Sequence, residues 1–166
     1  MKSILLFALS ILLCFCTTKL PANQTEDPVQ EIKTGAEQTD LYLPLLEGKR
    51  VAVMANQTSI IGGTHLVDSL QKLGINIVKV FGPEHGFRGD ASAGAKVSDA
   101  IDEQTGIPII SLYGRKNKPS KEDLADVDIL IYDLQDVGVR FYTNINALAR
   151  LMEACEANDK RLLILD

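Results

Sequence analysis

The sequence contains no tryptophan, and only 5% of its 166 residues are aromatic. It also lacks a surplus of basic side chains, because 17 lysines and arginines stand against 22 aspartates and glutamates, for a formal net charge of −5. Proteins that bind nucleic acids use basic side chains to displace the counterions of the phosphates, and aromatic side chains to stack on unpaired bases. The composition therefore argues against a nucleic-acid partner.

Several motifs of familiar active sites are also missing. The first predicted strand is not followed by Gly-x-Gly-x-x-Gly, and the chain contains neither Gly-Lys-Ser/Thr nor Gly-x-Ser-x-Gly. Dinucleotide-binding, P-loop and α/β-hydrolase sites are thus not predicted, and no cofactor is expected. The only two histidines are His65 and His85, too few for a His-rich zinc site. We expect His65 to be a surface residue.

Cysteine is scarce, and two of the three cysteines end an N-terminal apolar run. Residues 4–15 carry no charge and follow Lys2, which is typical of a signal peptide, and the run is shorter than the ~20 residues that span a bilayer. We predict a signal peptide over residues 1–16, with Cys16 as a lipidation site and simple secretion as the alternative. The protein would then be exported, either periplasmic or anchored to a membrane by its N-terminal lipid. Cys155 is predicted to be a small core residue, and a disulfide framework is excluded.

The remainder of the chain divides into a polar segment and an alternating α/β pattern. Residues 17–40 show no apolar period and are predicted to form a flexible tether. Strands are predicted at 50–55, 76–81, 108–113, 128–134 and 161–165, and helices at 65–73, 120–125 and 144–158. Nearly continuous apolar strands that alternate with helices predict a Rossmann-like, doubly wound, mostly parallel sheet with helices on both faces. Because Asp166 follows a predicted core strand directly, we expect the domain at 41–166 to be incomplete.

Polar residues cluster directly after three of the predicted strands. Asn56-Gln57-Thr58 follows the first strand, residues 82–89 follow the second, and residues 134–143 follow the fourth. Ligands of open α/β sheets bind outside the carboxyl ends of the strands. These three clusters are therefore the candidate site.

The turn Pro83-Glu84-His85-Gly86 carries the strongest chemical signal. Such a turn can hold Glu84 at the rim of the sheet, where partial desolvation would raise the pKa of its carboxyl group and suit it to act as a general acid. Glycoside hydrolysis needs a second group across the sugar, and Asp133 and Asp136 are the candidate carboxylates. A metal-dependent hydrolase, with a hard metal ion held by Glu84, Asp133 and Asp136, is a weaker alternative.

Two arginines accompany these carboxylates. Arg88 and Arg140 could each bind an acidic group of a substrate through a forked, charge-assisted contact. The alternative for both is a structural salt bridge to these aspartates, Asp133 and Asp136.

Three motifs, in this order and spacing, resemble the NamZ-type exo-β-N-acetylmuramidases: Asn56-Gln57-Thr58, the segment Gly82-Pro-Glu-His-Gly-Phe-Arg-Gly89, and Tyr132-Asp-Leu-Gln-Asp-Val-Gly-Val-Arg-Phe-Tyr-Thr143. The resemblance extends from residue 45 to 166. It implies a Rossmann-like catalytic domain followed by a second, smaller α/β domain, with the active-site cleft between them.

The same resemblance implies a peptidoglycan-recycling glycosidase that releases terminal N-acetylmuramic acid from the non-reducing end of cell-wall fragments. Its catalytic acid/base would be Glu84, with His85, Asp133 and Asp136 as further catalytic candidates. Muramic-acid saccharides would be its partners, and the candidate substrate-binding residues are Asn56, Gln57, Thr58, Arg88, Gln135, Arg140 and Tyr142. The alternative is an inactive or muropeptide-binding α/β domain.

Overall fold

The computed structural model of the chain describes residues 32–89 and 99–165. Eight strands and three helices lie in these ranges: α1 (Thr39–Leu46), β1 (Val51–Ala55), β2 (Ile60–Ile61), β3 (Thr64–His65), α2 (Leu66–Lys72), β4 (Ile77–Gly82), β5 (Ala100–Ile101), β6 (Pro108–Ser111), β7 (Ile129–Asp133), α3 (Asn144–Ala157) and β8 (Arg161–Ile164). None of the helices in these ranges is long and apolar enough to cross a membrane. The predicted signal peptide and Cys16 lie outside the described residues.

Six strands form one sheet in the order β5-β6-β4-β1-β7-β8, and the prediction of a mostly parallel sheet is confirmed. The pairs β1/β4, β1/β7, β4/β6 and β7/β8 are parallel, whereas the short edge strand β5 is antiparallel to β6. Chain order runs outward from β1 to β4 and β6, and then returns to β7 on the other side of β1. The loops that follow β1 and β7 therefore leave the sheet at a topological switch point, where ligands of such folds bind.

The sheet is covered on both faces because its central strands alternate between two cores. Val51, Val53 and Ala55 of β1 face a core that includes α1 and α2. Ala52 and Met54 face the opposite core, with α3 and residues 124–127. Burial on both faces explains why the strand sequences are almost uninterruptedly apolar. Cys155 is buried in the second core, as predicted, and burial raises the pKa of its thiol to about 11.

The packed domain begins earlier than the sequence suggested. Ala36 is buried in the first core, and the Tyr42 hydroxyl donates a hydrogen bond of 2.7 Å to its carbonyl oxygen. Gly35 lies so close to the backbone of Leu165 that a β-carbon there would clash. Residues 35–40, which were expected to belong to the tether, thus pack with the domain.

The helix predicted at 120–125 is instead a series of tight turns. Ser120 and Asp123 do exchange the reciprocal hydrogen bonds of a capping box. The helix does not develop because the buried Lys79 ammonium takes the carbonyl oxygen of Asp123, and the Val127 amide bonds three residues back to Leu124. A long-range contact thus overrides a local helix signal.

Two predicted apolar stripes are only partly buried. Leu73 lies beyond the end of α2 and is exposed, and Ile145 and Met152 of α3 are also exposed. Ile145 and Met152 are seven residues apart and share one flank of α3, whereas Leu151 and Cys155 contact the sheet. The buried face of α3 is therefore narrower than the apolar stripe in its sequence.

Candidate active site at the carboxyl ends of the strands

Glu84 lies on a tight turn immediately after β4. The Gly86 amide donates to the carbonyl oxygen of Pro83 at 3.1 Å, which closes the turn and makes Glu84 and His85 its two central residues. His85 has a φ of +71°, a left-handed conformation that non-glycine residues rarely adopt. The turn projects Glu84 and the exposed His85 from the sheet rim while Pro83 and Gly86 are buried.

The residues that follow the turn anchor it to the domain. Phe87 is buried, and its ring contacts the His65 ring edge-to-face with 4.6 Å between centroids. The Arg88 guanidinium lies 4.7 Å from the centroid of the same phenylalanine ring. Glu84 is thus presented by a constrained turn between a core strand and a buried aromatic anchor.

Two cavities meet at Glu84. The first, the β1-side cavity, has a volume of about 610 Å³ and is lined by Asn56, Gln57, Glu84, His85, Gly89, Phe141, Tyr142, Thr143 and Asn144. The second, the α3-side cavity, has a volume of about 460 Å³ and is lined by Met54, Pro83, Glu84, Leu112, Tyr113, Gly114, Asn117, Thr143, Asn144, Asn146, Ala147 and Arg150. Both volumes suit small-molecule ligands. Glu84 is a wall residue of both cavities.

Tyr113 is the direct partner of Glu84 in the α3-side cavity. Hydrogen bonding to the Glu84 carboxylate, together with the negative charge of that group, raises the pKa of Tyr113 above its ordinary value. A hydroxyl group beside a carboxylate can donate a hydrogen bond to it, so Tyr113 is suited to orient Glu84.

Arg88 does not face either cavity, and the structure favours the salt-bridge alternative for it. Its guanidinium donates to both carboxylate oxygens of Asp102 at 2.8 and 2.7 Å, and to both of Asp68 at 3.0 and 2.8 Å. Hydrogen bonds from Arg88 lower the pKa of Asp102 to about 2, and the two carboxylates raise that of Arg88. Four of its five N–H donors are thus occupied. The partners come from α2 and from the turn after β5, and they are not the predicted Asp133 and Asp136.

The Asn56–Ser59 turn after β1 is held by hydrogen bonds in which His65 takes part. Asn56 Oδ1 accepts from the Thr58 amide and hydroxyl at 2.9 and 2.7 Å, and the Ser59 hydroxyl donates to the backbone carbonyl of Asp133. Asn56 and Gln57 line the β1-side cavity, whereas Thr58 lines a third cavity.

His65 is half-buried, so the expectation of a simple surface residue was wrong. Its Nδ1 accepts from the Val67 amide at 3.2 Å, which places the ring proton on Nε2, 2.9 Å from the Asn56 carbonyl oxygen. Burial lowers the pKa of His65. The neutral ring ties the start of α2 to the turn that carries Asn56.

Asp133 lines a different cavity from Glu84. It is buried at the end of β7 and lines the third cavity, of about 560 Å³, together with Thr58 and Gln135. Burial, and secondarily the charge of Asp133, raise the pKa of Tyr42 to about 12. The pairing of Glu84 with Asp133 across one sugar stays a prediction, and the two residues do not line the same described cavity.

Asp136 and Arg140 lie on the exposed segment 135–143 and line none of the three cavities. Asp136 accepts a local bond of 2.7 Å from the Gly138 amide. Tyr142, on the same segment, does line the β1-side cavity. Within residues 32–89 and 99–165, no three His, Cys, Asp or Glu side chains are close enough to hold a metal ion, so Glu84, Asp133 and Asp136 do not form the hard-metal cluster considered above.

Three lining residues of the α3-side cavity were not identified from the sequence. Tyr113 and Asn117 follow β6, and Arg150 projects from the second turn of α3. The rule that directed attention to the carboxyl ends of the strands also applies to the third predicted strand, so it could have found Tyr113 and Asn117. No local signal distinguishes Arg150 from an ordinary exposed helix residue.

Comparison with known proteins links this site to one family. The sequence profile of the family described as "Exo-beta-N-acetylmuramidase NamZ, N-terminal" matches residues 51–166. The chain is 46% identical over 129 residues to the peptidoglycan beta-N-acetylmuramidase NamZ of Bacillus subtilis strain 168, a match that covers 75% of this chain and 31% of that protein.

Two crystal structures of DUF1343 family proteins from Bacteroides fragilis NCTC 9343 share the fold. Their TM-scores are 0.73 and 0.68, at 40% and 47% sequence identity, and the matches cover 81% and 80% of this chain and 34% of each crystallised chain. The chain thus spans about a third of the length of the relatives it matches. Its residues 51–166 match the N-terminal region of the exo-β-N-acetylmuramidase NamZ family, and the chain belongs to that family.

Proposed function

We propose that the protein is a peptidoglycan-recycling glycosidase that releases terminal N-acetylmuramic acid from the non-reducing end of cell-wall fragments, with Glu84 as the general acid. The observation that carries the proposal is the position of Glu84 on the wall shared by the two cavities. A sugar in one cavity, linked to the rest of the substrate in the other, would place its glycosidic oxygen beside this carboxyl group. The name of the Bacillus subtilis relative supports a peptidoglycan substrate.

The reaction requires a proton donor at the leaving oxygen and a second group on the other side of the sugar. Glu84 supplies the proton, and the hydrogen bond from Tyr113 orients its carboxyl group. Among the described residues that line these two cavities, Glu84 is the only carboxylic acid. His85, which lines the β1-side cavity beside it, is the group placed to act as a base toward water.

The test is the release of N-acetylmuramic acid from a muramic-acid-containing disaccharide by the complete product of the gene. Glu84→Gln keeps the size of the side chain and removes the proton, so kcat should fall by about 10² to 10⁴-fold. Glu103→Gln, at an exposed glutamate on the turn after β5, is the matched control and should leave kcat unchanged. Thermal melting of each variant checks that the fold is intact.

Three outcomes of this experiment have different meanings. If Glu84→Gln keeps more than about a tenth of the wild-type kcat while His85→Ala or Asp136→Asn abolishes release, the acid is a different residue. If the wild-type protein binds the disaccharide but releases nothing, it is a muropeptide-binding protein and the enzymatic proposal fails. If it does neither, muramic-acid saccharides are not its substrates.

We further propose that the protein is exported through a signal peptide at residues 1–16 and anchored to a membrane by a lipid on Cys16. The apolar run with one preceding lysine supports export, and a location outside the cytoplasm fits a cell-wall substrate. Cys16→Ser should move the protein from the membrane fraction to the soluble fraction. An unchanged distribution would favour simple secretion.

A further inference from the structure

The two cavities at Glu84 differ in charge. Arg150 is the only lysine or arginine among the described residues that line the α3-side cavity. The described lining of the β1-side cavity contains neither a lysine nor an arginine. A ligand with one acidic end and one neutral end would therefore bind across Glu84 in one direction only.

Arg150 has a guanidinium available for a ligand, unlike Arg88. Within residues 32–89 and 99–165, the acidic side chains form ion pairs with Arg50, Lys79, Arg88, Lys116 and Lys118, and none of them pairs with Arg150. The side chain is exposed. An arginine can donate two parallel hydrogen bonds to a carboxylate, which gives both affinity and direction.

The helix that carries Arg150 presents a suitable surface beside it. Asn146 and Arg150 are four residues apart on α3, so they lie one turn apart on the same face. Ala147, between them, is small and leaves room over the helix. Asn117 lines the same cavity from the loop after β6 and adds a second amide near this face.

We infer that the α3-side cavity is the subsite for the terminal, carboxylate-bearing sugar, that Arg150 binds its carboxylate, and that the β1-side cavity receives the remainder of the saccharide. The inference rests on the proposed glycosidase function and adds to it the direction in which the substrate binds and the residue that selects an acidic sugar. Arg140, on the exposed segment 135–143, is the alternative for this role because it also forms no ion pair among the described residues. Unlike Arg150, it lines neither cavity.

The test compares two substrates with the same leaving group, the aryl β-glycosides of N-acetylmuramic acid and of N-acetylglucosamine, which lacks the acidic substituent. The measured quantity is the ratio of their kcat/KM values with the complete gene product. Arg150→Gln should lower this ratio by about 10- to 100-fold, the loss expected for a charge-assisted contact. Arg150→Lys should restore part of the ratio. Arg161→Gln, at an exposed arginine where β8 begins, should leave it unchanged.

A second measurement separates this inference from the proposed function. Isothermal titration with free N-acetylmuramic acid and with N-acetylglucosamine should show weaker binding of the acid by the Arg150→Gln variant, whether or not hydrolysis occurs. The inference is overturned if Arg150→Gln retains the wild-type preference, or if Arg140→Gln removes it instead. If the wild-type protein hydrolyses neither glycoside but Arg150→Gln still weakens binding of the acid, the glycosidase proposal fails and the assignment of the carboxylate subsite holds.

Discussion

Replacing His85 with glycine tests whether the Glu84 turn stores backbone strain for a functional purpose. His85 adopts a φ of +71° at the third position of the turn, where glycine is the residue normally favoured. A left-handed conformation costs a non-glycine residue about 1–2 kcal/mol. The exposed imidazole has no hydrogen bond or ion pair within residues 32–89 and 99–165 that would offset this cost.

The expected change in stability follows from two opposing effects. Glycine removes the strain of about 1–2 kcal/mol but loses about 0.5–1 kcal/mol more conformational entropy on folding. The free energy of unfolding of His85→Gly should therefore rise by roughly 0.5–1 kcal/mol, which corresponds to about 1–4 °C in Tm for a domain of this size. His85→Ala keeps the β-carbon and thus the strain, so its stability should not rise.

Thermal and urea unfolding of the wild type and both variants measure the change in the free energy of unfolding. Release of N-acetylmuramic acid measures the effect of each substitution on activity. Both variants should lose activity if the imidazole serves the reaction, although only the glycine variant gains stability. Asp159→Gly changes the other described non-glycine residue with positive φ, which follows α3, and it should not affect activity. A His85→Gly variant less stable than wild type would refute the strain argument, since the imidazole would then make native contacts worth more than the strain.

Two further predictions concern the residues that hold the site. Arg88→Met should lower the free energy of unfolding by about 3 kcal/mol, because it leaves Asp68 and the buried Asp102 without their partner. Arg50→Met, at a pair whose side chains are 46% and 35% exposed, should cost clearly less, because solvent screens an exposed pair. Equal losses in urea unfolding would contradict the argument. Burial lowers the pKa of His65 in the folded protein below its ordinary value of 6.5. Its contribution to stability is therefore fully present above about pH 6.5 and is lost as the pH falls from there through the lower pKa of the folded state. His65→Gln should flatten this fall in the free energy of unfolding below about pH 6.5, and an unchanged slope would show that other groups cause it.

The sequence alone was sufficient for the five parallel strands of the sheet and for the position of Glu84, but not for the short antiparallel edge strand β5. The five long strands lie within two residues of their predicted bounds, and the largest difference is at β6, which ends at Ser111. These strands are parallel because continuous apolar runs between helices require burial on both faces. The Pro83–Gly86 turn also depends on local sequence, because a hydrogen bond between its own first and last residues closes it. Glu84 could be placed at the rim because the end of a predicted strand locates it.

Only the tertiary structure decided which side chains meet. Tyr132 of β7 packs in the second core, whereas Asp133, the next residue, lines the third cavity and neither of the two cavities at Glu84. Arg88 pairs with Asp68 and Asp102, which are 20 and 14 residues away in the sequence and lie outside its own motif. Tyr113 and Arg150 come from separate elements to one cavity with Glu84. Such contacts depend on the packing of helices and loops against the sheet, and local periodicity, which reports only the burial of each element, does not encode them.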